Sequence, residues 1–339
     1  MKTLFAVVAA ASIACGVALF AQTPAGPAKK YTAPRTPWGD PDLQGIWPGT
    51  PLVGVPLQRD PKFGTRNVLT DEEFAQRKAQ ADKQIDEDNA DFDVNTADVS
   101  NAGAVGSPTS PPPHWLERGE PQRQASLIVD PPDGRMPPLT PEARARQAKI
   151  RAERASHGPA DSYTDLSIYV QCITRGLVGS VLPVIYNNGN EIVQAPGYVA
   201  IRNEMIHETR IVPLDGRAPL SSSIRQWMGD SRGHFDGDTL VVETTNFTDR
   251  TGIGPNGGGT LNSDALKIVE RFTPVDANTL DYQITIDDPK TWTRPWTILM
   301  PLKRDDHYGM YEYACHEGNH ALVNILSGAR AEERHAAPR

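Results

Sequence analysis

From about residue 166 onward, apolar residues recur at every second position in short runs separated by turn residues. That period constrains the fold more than any other feature of this 339-residue chain. A period of two sets one face of an extended strand against a core and the other toward solvent. EIVQA and YVAIR flank Pro196-Gly197 and predict a hairpin. IHETRIVPL follows. GHF and TLVVETTNF then flank Asp236-Gly237, which predicts a tight primed turn with both central residues at positive φ. ALKIVERF, TLDYQITID, WTRPWTILMPLKR and YGMYEYAC read as further strands. Short connections favour antiparallel pairing of neighbours. A meander of this kind must close or stack to hide its edges. The expected fold is mainly β: an antiparallel up-and-down barrel of the lipocalin or calycin type, or a two-sheet sandwich. NHALVNILSGARAEER predicts a short C-terminal helix capped by Asn319, with Leu322, Ile325 and Leu326 on one face.

The preceding half has a different character. Of the 30 prolines, 20 fall between Pro24 and Pro159, and alternating apolar runs are few there. Residues 22–165 therefore read as an irregular arm that wraps the β-domain of residues 166–339. Two helices are expected within the arm. One starts at Thr70 with Glu73 three residues later, a capping box. The other has Thr140 as N-cap, Pro141 at the first helical position and Gly158 as stop. Asn95 to Pro113 reads as a long loop, and the acidic DNADFDVNTAD beside it as a solvated run that lacks the glycine and final Glu of a calcium loop.

Ahead of the arm, a basic start and an apolar run ending at Ala21 predict a signal peptide over residues 1–21. A retained membrane anchor is the alternative reading. No later stretch is apolar and long enough to span a bilayer, so no span is expected after cleavage. The expected location is periplasmic or secreted. Cleavage removes Cys15 and leaves Cys172 and Cys315, an even pair that predicts a disulfide in an oxidising compartment.

A net charge of −8 with no Lys/Arg stripe excludes a nucleic-acid footprint. No G-x-G-x-x-G follows a strand, and neither a P-loop nor a nucleophile elbow occurs. No cofactor is therefore expected.

Long strings in the chain resemble a family of exported bacterial proteins, common in acidobacteria and in some proteobacteria, to which no activity is assigned. They include PWGDPDLQGIW at 37–47, DPPDGRMPPLTPEA at 130–143 and QAPGYVAIRNEMIHETRIVPLDGR at 194–217. GDSRGHFDGDTLVVETTNF at 229–247, VERFT at 269–273, DPKTWTRPWT at 288–297 and YEYACHEGN at 311–319 complete the set. The resemblance implies export and one architecture over nearly the whole mature chain, and no substrate.

Four constellations carry candidate chemistry. HEGNH at 316–320 matches the two-histidine zinc motif. Gly318-Asn319 is poor helix sequence, and the tail offers weak third ligands, so no metal is expected and His316 is placed at the end of a strand. In NEMIHETR, His207 is a candidate base beside Glu204, and strand parity points it away from Arg210. In GDSRGHFDGDT, Asp230, Arg232, His234, Asp236 and Asp238 fall on one face. Arg232 would bind an anion or carbonyl and His234 would move a proton; a solvated hairpin is the alternative. Glu270 shares a face with Leu266, Ile268 and Phe272, so it needs a partner. Arg294, between Trp292 and Trp296, is a candidate partner for Glu270 or Glu312. The same groups, with Tyr282, could instead orient a ligand inside a barrel.

The sequence thus predicts an exported protein that binds a small organic molecule in a β-barrel pocket and transforms it by acid–base chemistry. His207, His234 and Glu270 are the candidate catalytic groups. Glu204, Arg232, Asp236, Tyr282, Arg294, Trp296, Glu312 and His316 are candidate ligand contacts. The alternatives are a non-catalytic binding or interaction protein of the cell envelope, and a zinc metallohydrolase using HEGNH.

Overall fold

The computed structural model describes residues 31–88 and 116–336. The expected signal peptide and the loop from Asn95 to Pro113 lie outside the described residues.

Among the described residues, three α-helices and three strands occupy the chain up to residue 195. They are β1 (Gly45–Ile46), α1 (Asp71–Asp88), β2 (Ile128–Asp130), α2 (Pro141–Ala155), α3 (Gly176–Val181) and β3 (Asn190–Ala195). β4 (Tyr198–Asn203), β5 (Thr209–Pro213), β6 (Asp230–Asp236), β7 (Thr239–Thr245), β8 (Gly252–Ile253) and β9 (Thr260–Leu261) follow. β10 (Lys267–Asp276), β11 (Thr279–Asp287), β12 (Trp296–Lys303) and α4 (Ala321–Ala336) complete the order.

The protein is mainly β, and its sheets are antiparallel. One sheet runs β1-β3-β4-β5, a second runs β2-β12-β11-β10-β7-β6, and β8 pairs with β9. Within the second sheet, β6, β7, β10, β11 and β12 form the expected meander, interrupted only by the β8–β9 excursion. No closed barrel forms among the described residues. The meander stops at β6 on one side, and on the other the arm's β2 pairs with β12. β1 likewise covers the outer side of β3. Short pieces from the proline-rich half thus blunt one edge of each sheet.

Both sheets contribute to one core cluster. Ile192, Val199, Ile201 and Val212 come from the smaller sheet, and Leu240, Ile268, Phe272, Ile284 and Met300 from the larger. The buried amide of Gln194 fastens the arm to β3: its Oε1 accepts from Leu43 N at 2.7 Å and its Nε2 donates to Pro41 O at 3.0 Å. The sheets approach closely at Gly233, where an added Cβ would lie 2.7 Å from Val212 Cγ1.

Local signals explain the helix starts. Thr70 N donates to Glu73 Oε2 at 2.8 Å, and Glu73 N to Thr70 Oγ1 at 3.3 Å, the reciprocal pair of a capping box. Thr140 Oγ1 accepts from Ala143 N at 3.1 Å, with Pro141 in the first turn. That helix ends at Ala155, ahead of Gly158. Asn319 Oδ1 accepts from Ala321 N at 3.1 Å and starts α4. No helix among the described residues is long and apolar enough to cross a membrane.

Two local expectations are corrected. The β6–β7 turn places Gly237 and Asp238 at its centre, since Asp236 pairs with Thr239, and of these two only Gly237 (φ 62°) has positive φ. A primed turn with glycine first needs just one such residue. YGMYEYAC is not a strand: the chain from residue 304 to 320 is irregular. Its tyrosines, Tyr308, Tyr311 and Tyr313, line a cavity and have no sheet partner.

Candidate functional site

Strand parity sets the polar groups of the interior. In β5, Arg210 and Val212 point inward, and in β10, Glu270 points inward with Ile268 and Phe272. Arg210 Nη1 donates to Glu270 Oε2 at 2.6 Å and Nη2 to Oε1 at 2.8 Å, a bidentate pair linking the two sheets. Tyr282, whose ring stacks on Phe272 at 4.3 Å, donates its hydroxyl to Glu270 Oε1 at 2.5 Å. Arg210, Glu270 and Tyr282 are 5%, 0% and 2% exposed. Burial pulls the guanidinium of Arg210 down, but the charge and hydrogen bonds of Glu270 more than offset it and leave it above its ordinary value. Burial, then the neighbouring carboxylate, pushes the Tyr282 phenol well up. Glu270 therefore finds its partner in Arg210. Arg294, the expected partner, is exposed ahead of β12 and pairs with Asp130 at 2.8 Å.

The other predicted residues are dispersed. His234 is exposed on the outer face of β6, opposite to the inner face that carries Glu270, so the two do not meet. Arg232 Nη1 donates to Asp230 Oδ1 at 2.6 Å, while Asp230 Oδ2 accepts from Leu220 N at 2.8 Å and fastens the preceding loop. Asp236 pairs with Arg271 at 2.9 Å on the surface. Trp296 is fully buried and meets Trp292 edge-on at 5.5 Å. His207 sits ahead of β5 at φ 41°, exposed, with Nδ1 3.0 Å from Tyr313 O. Glu312 and His316 lie exposed on the irregular 304–320 segment, so neither belongs to a strand. Gly318 has φ 65° and α4 begins only at Ala321, so His316 and His320 do not share a helical face. Among the described residues, no group of three His, Cys, Asp or Glu side chains is placed to hold a metal ion.

The structure instead builds a cavity of about 1260 Å³ from the chain around 308–321, the 169–172 turn, Tyr186-Asn187, Glu117 and Glu204. The Cys172–Cys315 disulfide, Cα atoms 5.7 Å apart, ties two of these segments together. Glu204, 2% exposed, anchors the wall. Its Oε1 accepts from Asn187 Nδ2 at 3.0 Å and Tyr311 N at 3.1 Å, and its Oε2 from Gly189 N at 3.1 Å and Tyr308 Oη at 2.8 Å. Gly189 permits this closeness, because a Cβ there would lie 2.1 Å from Met310 Sδ. Tyr308 Oη also lies 2.8 Å from Glu117 Oε1, so one phenol stands between two carboxylates. Burial, followed by those carboxylates, raises its pKa far above the usual phenol value.

A second phenol cluster completes the wall. Tyr169 Oη lies 3.2 Å from both Tyr186 Oη and Tyr313 Oη. Behind Tyr169, the guanidinium of Arg175 sits 5.3 Å from its ring centroid, fully buried, with Nε and Nη2 unpartnered. Burial lowers the Arg175 value, and the phenols and Glu208 push against that. Glu208 itself is held above the usual carboxylate range by burial, opposed by hydrogen bonds from Thr174 and Ser180.

Of the residues singled out in the sequence, Glu204, Glu312, the disulfide, Glu317 and His320 of HEGNH, the cap Asn319 and Ile325 border this cavity. Tyr169, Tyr186, Tyr308, Tyr311, Tyr313, Glu117 and Arg175 were missed. The available signal was density: three of the nine tyrosines fall within 308–313. No protein-family model, curated protein or solved structure matches the chain.

Proposed function

We propose that this is an exported protein, periplasmic or secreted, that binds a small organic molecule in the tyrosine-lined cavity. One observation carries the reading: a cavity of about 1260 Å³ is walled by five tyrosines and held in shape by buried hydrogen bonds and a disulfide. Ligand sites are typically concave, aromatic and preformed in this way. The apolar run before Ala21 and the disulfide support export. The resemblance to exported acidobacterial and proteobacterial proteins agrees with that. We read the two sheets over one shared core as a sandwich.

Binding is favoured over turnover by His207, His234 and Glu270, because both oxygens of Glu270 are already taken by Arg210 and Tyr282. The test is a thermal-shift screen of the purified protein against small organic molecules. At least one class should shift the midpoint saturably, and Tyr311→Leu should weaken that shift. If no compound gives a saturable shift, the binding reading fails.

A second reading, an interaction protein of the cell envelope, draws on the outer face of the smaller sheet. There Val193 and Ile211 flank Ala200 in register, and Val193, Tyr198 and Ile211 are 46%, 41% and 58% exposed. It predicts that Ile211→Glu abolishes an association seen with the wild type.

A further inference from the structure

The charge on the cavity wall narrows the ligand class. Among the described residues, its lining includes Glu117, Glu204, Glu312 and Glu317, and neither Lys nor Arg. His320 is the only basic side chain among the lining residues. Elsewhere in this protein several glutamates meet guanidinium partners, as Glu270 does with Arg210 and Glu73 with Arg66. Here Glu204 accepts from neutral groups, Asn187, Tyr308 and two backbone N–H groups, and Glu117 accepts from Thr50 and Asn188 while also bordering a smaller pocket that holds Arg118, Lys303 and Arg304. A concave wall carrying one sign of charge focuses a field that concentrates counter-ions of the opposite sign.

The aromatic component points the same way. The faces of tyrosine rings carry negative quadrupole density and attract cations, and aromatic cages recognise quaternary ammonium groups. The cluster already does this internally. Arg175 is fully buried and stacks on the Tyr169 ring at 5.3 Å. Its place there shows that this part of the molecule accommodates a cation beside phenol rings. Tyr311, 75% exposed, is also a lining residue, so its ring is accessible to an entering group. A small inorganic cation would not use the rings. A carbohydrate would use them but would leave the four carboxylates without a charge to answer. An anion is disfavoured by all four.

Resting on the reading that this cavity binds a small molecule, we infer that its ligand class is organic cations, with an alkylated or quaternary ammonium group held among the tyrosine faces and the glutamates. The contrast is between ligands of one shape and different charge. The probes are choline, neohexyl alcohol, in which carbon replaces the ammonium nitrogen, and the anion tert-butylacetate. Ligand-observed NMR titration of the full protein measures each. Choline should bind saturably and about tenfold more tightly than neohexyl alcohol, the ratio that about 1.4 kcal/mol of cation–π and charge attraction supplies. Tert-butylacetate should be weaker than both, and added salt should weaken choline selectively. Glu312→Gln and Tyr311→Leu, both at exposed positions, should reduce choline affinity while leaving the melting midpoint in place. Equal binding of choline and neohexyl alcohol, or tighter binding of the anion, would overturn the cation inference and leave the small-molecule reading intact. Absence of choline binding would also overturn the inference. The wider reading falls only if the general screen is empty as well.

Discussion

Two regions of this molecule set a tyrosine hydroxyl against a glutamate, and they use it in opposite ways. Between the sheets, Tyr282 and Arg210 take both oxygens of Glu270, and the three side chains are sealed from solvent. At the cavity, Tyr308 stands between Glu117 and Glu204, and among the described residues that line it there is neither Lys nor Arg. The first network is closed in charge and in space. The second is satisfied in hydrogen bonds but open in charge and in space. The difference separates a polar group that serves stability from one that serves recognition: the deciding feature is whether the counter-charge is already present.

The largest expected effect breaks the closed network. Glu270→Ala leaves the Arg210 guanidinium buried without its partner, and should destabilise the fold by about 3–5 kcal/mol in chemical denaturation. A loss below about 1 kcal/mol would mean the pair is not sealed as described. Next comes the covalent tie of the cavity wall. Cys172→Ser with Cys315→Ser should lower stability by about 2–4 kcal/mol. It should also release the 304–320 segment to hydrogen exchange, while the strands of the larger sheet stay protected. Uniform loss of protection would contradict the separation of the two regions. Tyr282→Phe removes one donor from Glu270 and should lower stability by about 1–3 kcal/mol, less than Glu270→Ala.

The smallest effect is one of pH and belongs to Glu208. Burial holds its carboxyl above the ordinary carboxylate range, so the folded state binds this proton more readily than the unfolded chain does. Its contribution to stability is fully present below the unfolded value and is lost as pH rises through the folded value. Glu208→Gln should therefore gain stability relative to the wild type between acid and neutral pH, read from melting midpoints across that window. A difference independent of pH would show that Glu208 keeps its ordinary affinity for the proton.

The sequence made the β-rich part legible because period two is a direct consequence of strand geometry. The hairpin about Pro196-Gly197, the meander through ALKIVERF and TLDYQITID, and the caps at Thr70 and Thr140 all follow from local rules. The pairing of Cys172 with Cys315 followed from their number. Partners across the core were less legible. Parity separates Arg210 from His207, but only the packing of two sheets shows that Arg210 meets Glu270 and that Arg294 does not. The cavity was least legible. YGMYEYAC alternates as a strand does, yet its tyrosines are placed by Glu204, the disulfide and the 169–172 turn, all remote in sequence.

The most direct test is a crystal structure of the protein soaked with the compound that gives the largest saturable thermal shift. The account predicts ordered ligand density among Tyr308, Tyr311 and Tyr313, with Arg210, Glu270 and Tyr282 keeping their hydrogen bonds. Density lodged between the sheets at Glu270, or on the outer face of β6 at His234, with nothing in the tyrosine-lined cavity, would contradict it.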